Sequence, residues 1–135
     1  MATILHIEDD DAMALVFHAA IEEARLHATV CRVSSGEEAL AYLRGEGRYA
    51  GRRWPDIVYL DLNMPRVDGW QVLTDMRADS GLRSIPVVVL TTSSRLADKD
   101  RAHALGAQHF LTKPAAFGAL VAAVESTYRS LVAGA

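Results

Sequence analysis

Residues 56–65 read Asp-Ile-Val-Tyr-Leu-Asp-Leu-Asn-Met-Pro, and the run IVYL at 57–60 offers no polar face. A strand wetted on one side alternates apolar and polar residues, so an unbroken apolar run marks a strand covered on both faces. Residues 87–90, VVVL, repeat the pattern. Working outward, strand candidates fall at Thr3–Ile7, Thr29–Val33, Asp56–Leu60, Pro86–Leu90 and Gln108–Leu111. Helical patterns lie between and after them, at Ala12–Arg25, Glu37–Arg44, Gly69–Arg77, Leu96–Leu105 and Phe117–Leu131. Strict strand–helix alternation requires crossover helices, and hence an α/β, doubly wound, five-stranded parallel sheet. Ser34-Ser35-Gly36-Glu37 reads as a capping box for the second helix, and Gly106 stands where the fourth should stop.

The 135 residues suit one domain spanning 1–135, and the composition, half hydrophobic with only 7% aromatic, implies an aliphatic core. A formal charge of −3 without a basic stretch argues against nucleic acid as a partner. The apolar runs are too short for a bilayer, which argues against a membrane partner. A lone Cys31 and no signal peptide point to a cytoplasmic protein, with Cys31 an inert strand thiol. The five histidines show no ligand spacing, and His6 reads as a core residue. The stretch Gly45–Pro55, with three glycines and three arginines, reads as an extended loop whose arginines are either solvated or face a partner.

In a doubly wound sheet, ligands bind at the carboxyl ends of the strands. The first strand ends in Glu8-Asp9-Asp10-Asp11, the third in Asp61, the fourth in Thr91-Thr92-Ser93, and the fifth near Lys113. Singly, each residue has an ordinary explanation: a surface aspartate, a helix cap, a structural threonine, a solvated lysine. Together they gather carboxylates, hydroxyls and one ammonium at a single rim. Two carboxylates ~5 Å apart repel by roughly 3 kcal/mol at an effective dielectric of ~20, so such a rim calls for a cation. Oxygen ligands without His or Cys favour Mg2+ over zinc. An aspartate so held is a nucleophile for phosphorus.

The stretches ILHIEDD, DIVYLDLNMPRVDGW, IPVVVLTTS and GAQHFLTKP occur here in the order and spacing of bacterial two-component response-regulator receiver domains, which the whole chain resembles. The resemblance implies a chemotaxis-regulator-like, flavodoxin-like sheet of order 2-1-3-4-5 with five helices. It makes Asp61 the phosphoryl acceptor. The metal site is Asp9 directly, Glu8 through water, Asp61, and the backbone carbonyl of Asn63, with Mg2+ as the only cofactor. Thr91 is the switch hydroxyl, Phe110 the switch aromatic, and Lys113 the phosphate-pairing ammonium, followed by a cis Lys113-Pro114 bond. The implied function is that of a stand-alone response regulator phosphorylated by a sensor histidine kinase and signalling through protein contacts. It catalyses only its own phosphorylation and dephosphorylation. The 45–55 loop is similar to that of single-domain regulators partnering phytochrome-type kinases.

Some residues depart from the family pattern. Thr92 replaces a small residue after Thr91, Phe110 has no hydroxyl, and Ala115-Ala116-Phe117 lacks an acidic cap. Two other readings stay open: a phosphorylation-independent pseudo-receiver, and a phosphohydrolase, against which Asn63 counts because it stands where a second aspartate is needed. The last predicted helix ends near residue 131, leaving no room for an output domain. On a helical wheel Phe117, Val121, Val124, Tyr128 and Leu131 form a core stripe. Ala119, Ala122, Ala123, Ser126 and Ser130 form an uncharged opposite face, read here as the contact of a homodimer.

Overall fold

The computed structural model describes residues 1–132; residues 133–135 of the expected domain lie outside the described residues. The strands are β1 (Ala2–Ile7), β2 (Ala28–Val33), β3 (Ile57–Leu60), β4 (Val87–Thr91) and β5 (His109–Thr112). The helices are α1 (Asp11–Glu23), α2 (Gly36–Arg44), α3 (Gly69–Ala78), α4 (Leu96–Ala104) and α5 (Phe117–Leu131). All pairings are parallel, and the sheet order is β2-β1-β3-β4-β5, as expected. Every predicted element is present, with ends displaced by two residues at most.

The IVYL run is buried on both faces because its residues serve two cores. Ile57 and Tyr59 pack with Phe17 of α1 and with Leu120 and Val124 of α5. Val58 and Leu60 pack with Leu43 of α2 and with Val72, Leu73 and Met76 of α3. Each such side chain contributes about 1.5–3 kcal/mol relative to exposure. The Tyr59 hydroxyl, deep in the second core, lies 2.7 Å from Thr127 Oγ1, so its burial leaves no orphaned polar atom. His6 is a core residue, stacked on Phe17 at 3.9 Å between ring centroids.

Four sequence expectations are corrected. The capping box sits one residue later: Ser35 Oγ accepts from Glu38 N, and the Glu38 carboxylate accepts from Ser34 N. Ser34–Glu37 and Ser35–Glu38 both satisfy the same spacing, and the helix begins at the second. The core stripe of α5 is shifted at its start: Leu120 and Thr127 join the expected Val124 and Tyr128 as buried residues, Val121 and Leu131 pack half-buried against the same core, and Phe117 is 44% exposed. Several adjacent positions on this helix are apolar and more than one set of them meets helical spacing, so the packed partners choose the stripe. Ala119, Ala122, Ser126 and Ser130 are exposed, as expected of the small face, and Ala123 is half-buried. The Lys113–Pro114 bond, expected cis, is trans, the favoured isomer even before proline, and there is no cis bond among the described residues. The 45–55 loop contains a 3-10 turn at Gly47–Tyr49, and two of its arginines are engaged internally. Arg48 pairs with Glu38 at 2.7 Å, while Arg52 donates to the carbonyls of Tyr42 and Leu43 at the end of α2.

Candidate phosphoryl-transfer and metal site

Sheet register assembles the site. Ile7 lies opposite Leu60, so the next residues, Glu8 and Asp61, stand side by side beyond the ends of β1 and β3. Thr91 pairs with Thr112, which sets Lys113 one residue past the end of β5, and Lys113 N donates to Thr91 O at 2.6 Å. Ligand atoms of Glu8, Asp9 and Asp61 lie within 4.8 Å of one another. Glu8 and Asp61 are buried, at 1% and 5% exposure, while Asp9 is open to solvent. Lys113 Nζ lies 2.7 Å from Glu8 Oε1 and 3.6 Å from Asp61 Oδ2.

Burial is the largest influence on Glu8 and raises its carboxyl above the ordinary range; the Lys113 contact opposes this, and the Asp61 charge reinforces it. One ammonium therefore answers three crowded carboxylates, and charge remains to be neutralised. The donor set is all oxygen, with no sulfur or imidazole among the three, which suits a hard divalent cation.

The β3–α3 turn brings Asn63 to the rim. Its backbone N–H donates to Asp61 Oδ1 at 3.4 Å, and its side-chain amide donates to Thr91 Oγ1 at 3.4 Å. Gly69, which opens α3, runs against this turn: a Cβ there would stand 2.2 Å from the carbonyl oxygen of Asp61. Only glycine fits so close an approach of two backbones. The Asp10 side chain stands outside the cluster and caps α1, accepting from Ala12 N and Met13 N, while its backbone N–H donates to Glu8 Oε2 at 3.3 Å. Phe110 is half-buried in β5, packed against the core that contains Val89. Of the predicted site residues, all but Phe110 thus lie at one rim.

The model of the response regulator receiver domain matches residues 4–125. This chain belongs to that family. Receiver relatives match along most of its length. Rcp1 of Synechocystis is 33% identical over 110 residues, covering 82% of this chain and 75% of the relative. The probable methanogenesis regulatory protein FilR2 of Methanothrix harundinacea is 41% identical over 123 residues, covering 90% and 78%. The phosphorylated cyanobacterial phytochrome response regulator RcpA superposes with a TM-score of 0.90 at 35% identity, over 99% of this chain and 96% of that one. A Mn2+-bound form of Rcp1 superposes at 0.89 with 28% identity, over 100% and 97%. The receiver fold is accordingly chemotaxis-regulator-like, and the protein is a signalling component of two-component type. No helix among the described residues is long and apolar enough to cross a membrane.

Sequence reading missed one neighbour of this receiver site. Arg32, near the end of β2, donates from Nε to the carbonyl of Glu8 at 2.9 Å and pairs through Nη1 with Asp11 at 2.9 Å. A lone arginine in a strand gives no local signal; the contact depends on β2 lying beside β1.

Proposed function

We propose that this chain works as a stand-alone response regulator that takes a phosphoryl group from a histidine kinase onto Asp61 in a Mg2+-dependent reaction. The observation that carries the reading is the cluster of Glu8, Asp9 and Asp61 with Lys113 Nζ 3.6 Å from Asp61 Oδ2. Asp9, Asp61 and the backbone carbonyl of Asn63 would hold the cation, with Glu8 acting through water; bound there, it would neutralise charge on the transferring oxygens. Asp61 supplies the attacking oxygen. Its bond to phosphorus forms as the phosphorus–nitrogen bond of the kinase phosphohistidine breaks, and the electron pair returns to the imidazole. Lys113 and the Thr91 hydroxyl would donate to phosphoryl oxygens, and their engagement would be the switching event. Phe110 follows by steric repacking, since it has no hydroxyl to donate.

The likeness to Rcp1 and RcpA supports a phytochrome-type kinase as the partner, and output runs through protein contacts. Self-association through the small face of α5 belongs to the same proposal. A phosphorylation-independent module is the less supported alternative, because no side chain of the site is missing. Calorimetry with Mg2+ and labelling by acetyl phosphate test the reading together. Wild type should bind the ion and be labelled, EDTA should abolish labelling, and Asp9→Ala should lose most of the affinity. Labelling that persists undiminished in EDTA would contradict it.

A further inference from the structure

We propose that Arg32 is a positioning residue that holds the acidic β1–α1 loop in its metal-ready form before any ion arrives; the proposal rests on the site reading above. The guanidinium reaches both ends of the loop that contains Asp9. Its Nε donates to the Glu8 carbonyl at 2.9 Å, and its Nη1 meets Asp11 Oδ1 at 2.9 Å. The side chain is only 28% exposed, and Nη2 is buried without a hydrogen-bond partner among the described residues. The fork is therefore sunk against the protein rather than waving in solvent. On the loop's own backbone, Glu8 N donates to Val33 O, so the Arg32 fork completes a tie between β2 and the loop that the ladder alone ends at Glu8 N. Asp9 and Asp10 stand between the two anchors, and the first anchor is the carbonyl of Glu8 itself.

The sign of the charge separates positioning from electrostatics. A guanidinium beside a cation site repels the cation, so an arginine acting by charge alone would weaken the site. Its value must come from geometry: a planar fork fixes two acceptors at once, which a lysine ammonium on a flexible stem does not. The two arms are unequal. Asp11 is 89% exposed, so its pair is screened and contributes little, whereas the Glu8 carbonyl is partly buried and has no freedom to swing. Restraint of this kind, one layer behind the ligands, acts on metal affinity through the order of the ligands.

The test compares wild type with Arg32→Met, Arg32→Lys and Asp11→Asn by Mg2+ calorimetry and by amide hydrogen exchange in EDTA, with melts in EDTA as a folding control. Both Arg32 variants should bind Mg2+ about tenfold more weakly, as outer-layer changes do. Their amides at residues 9–12 should exchange faster without metal, while exchange at Ile4–Ile7 stays as in wild type. Asp11→Asn should stay within about twofold, because an exposed pair is worth little. Binding by Arg32→Met equal to or tighter than wild type would overturn the proposal, since the side chain would then act only as a charge. If Arg32→Met does not fold, Arg32→Lys keeps the charge and decides the matter. A wild type that binds no Mg2+ would overturn the metal-site reading instead, and unaltered loop exchange in EDTA would separately overturn the role of Arg32.

Discussion

Lys113 Nζ lies closer to Glu8 Oε1, at 2.7 Å, than to Asp61 Oδ2, at 3.6 Å. The resting ammonium is thus spent chiefly on the most buried carboxylate of the rim, and the repulsion between Asp9 and Asp61 is left for a cation to relieve. The same arrangement leaves Lys113 one short step from any phosphoryl oxygen carried by Asp61.

Removing one charge from the rim should stabilise the metal-free fold. Asp61→Asn is expected to melt in EDTA with about 1 kcal/mol more stability than wild type, after allowing for screening by solvent. Urea melts with increasing Mg2+ should close the gap, because only wild type gains fully from the ion. A variant less stable than wild type in EDTA would contradict a crowded carboxylate site.

His6 supplies a pH signature independent of the metal. Burial, and then the charges of Lys113 and Arg32, push the imidazole down to about 3. Between that value and its unfolded value near 6.5, the unfolded chain binds a proton that the native state refuses, so stability falls as pH falls. His6→Val removes this linkage while Glu8 titrates in both proteins. Between pH 7 and pH 5 wild type should lose about 2 kcal/mol relative to the variant, read from urea midpoints. Parallel curves over that range would mean that His6 is not held neutral.

Two substitutions outside the reacting side chains, one remote from Asp61 and one packed against its backbone, should separate fold from site. Arg77 reaches from α3 to the carbonyls of Arg83, Ile85 and Gly106, tying the approach to β4 to the turn before β5. Arg77→Ala should cost about 2 kcal/mol in urea melts while leaving acetyl-phosphate labelling intact. Gly69→Ala should do more harm to the site, because its Cβ would press on the Asp61 backbone. Overpacking of that kind costs about 1–3 kcal/mol, and labelling of the folded fraction should slow with it. Equal labelling rates for wild type and Gly69→Ala would show that the turn has room to give.

What the sequence makes legible follows from where information is local. Asp61, Glu8 and Thr91 stand at or just beyond strand ends, and an apolar run with a polar terminus announces itself in one dimension. The parallel sheet and the gathering at one rim follow from alternation, whereas the strand order is legible only through the resemblance to receiver domains. Arg32 and the reach of Arg77 to Gly106 are illegible because each acts on a backbone carbonyl far away in sequence, 24 and 29 residues off. The start of the α5 stripe is illegible because Phe117, Leu120 and Val121 are all apolar, and only the packed partners decide among them. The engagement of Arg48 and Arg52 in the 45–55 loop is illegible for the same reason: their acceptors lie on α2.

The small exposed face of α5 is expected to self-associate. Sedimentation at rising concentration should show wild type passing from monomer to dimer, with Ala122→Glu held as monomer at unchanged thermal stability. A wild type that remains monomeric with and without a phosphoryl mimic would remove this part of the proposal.

The most direct test of the central claim is intact-mass spectrometry of wild type and Asp61→Asn, treated side by side with acetyl phosphate and Mg2+. Wild type should gain a single phosphoryl group, lost again on removal of the donor or on mild alkali, and Asp61→Asn should gain none. Equal labelling of the two proteins would contradict Asp61 as the acceptor, and with it the function assigned to this rim.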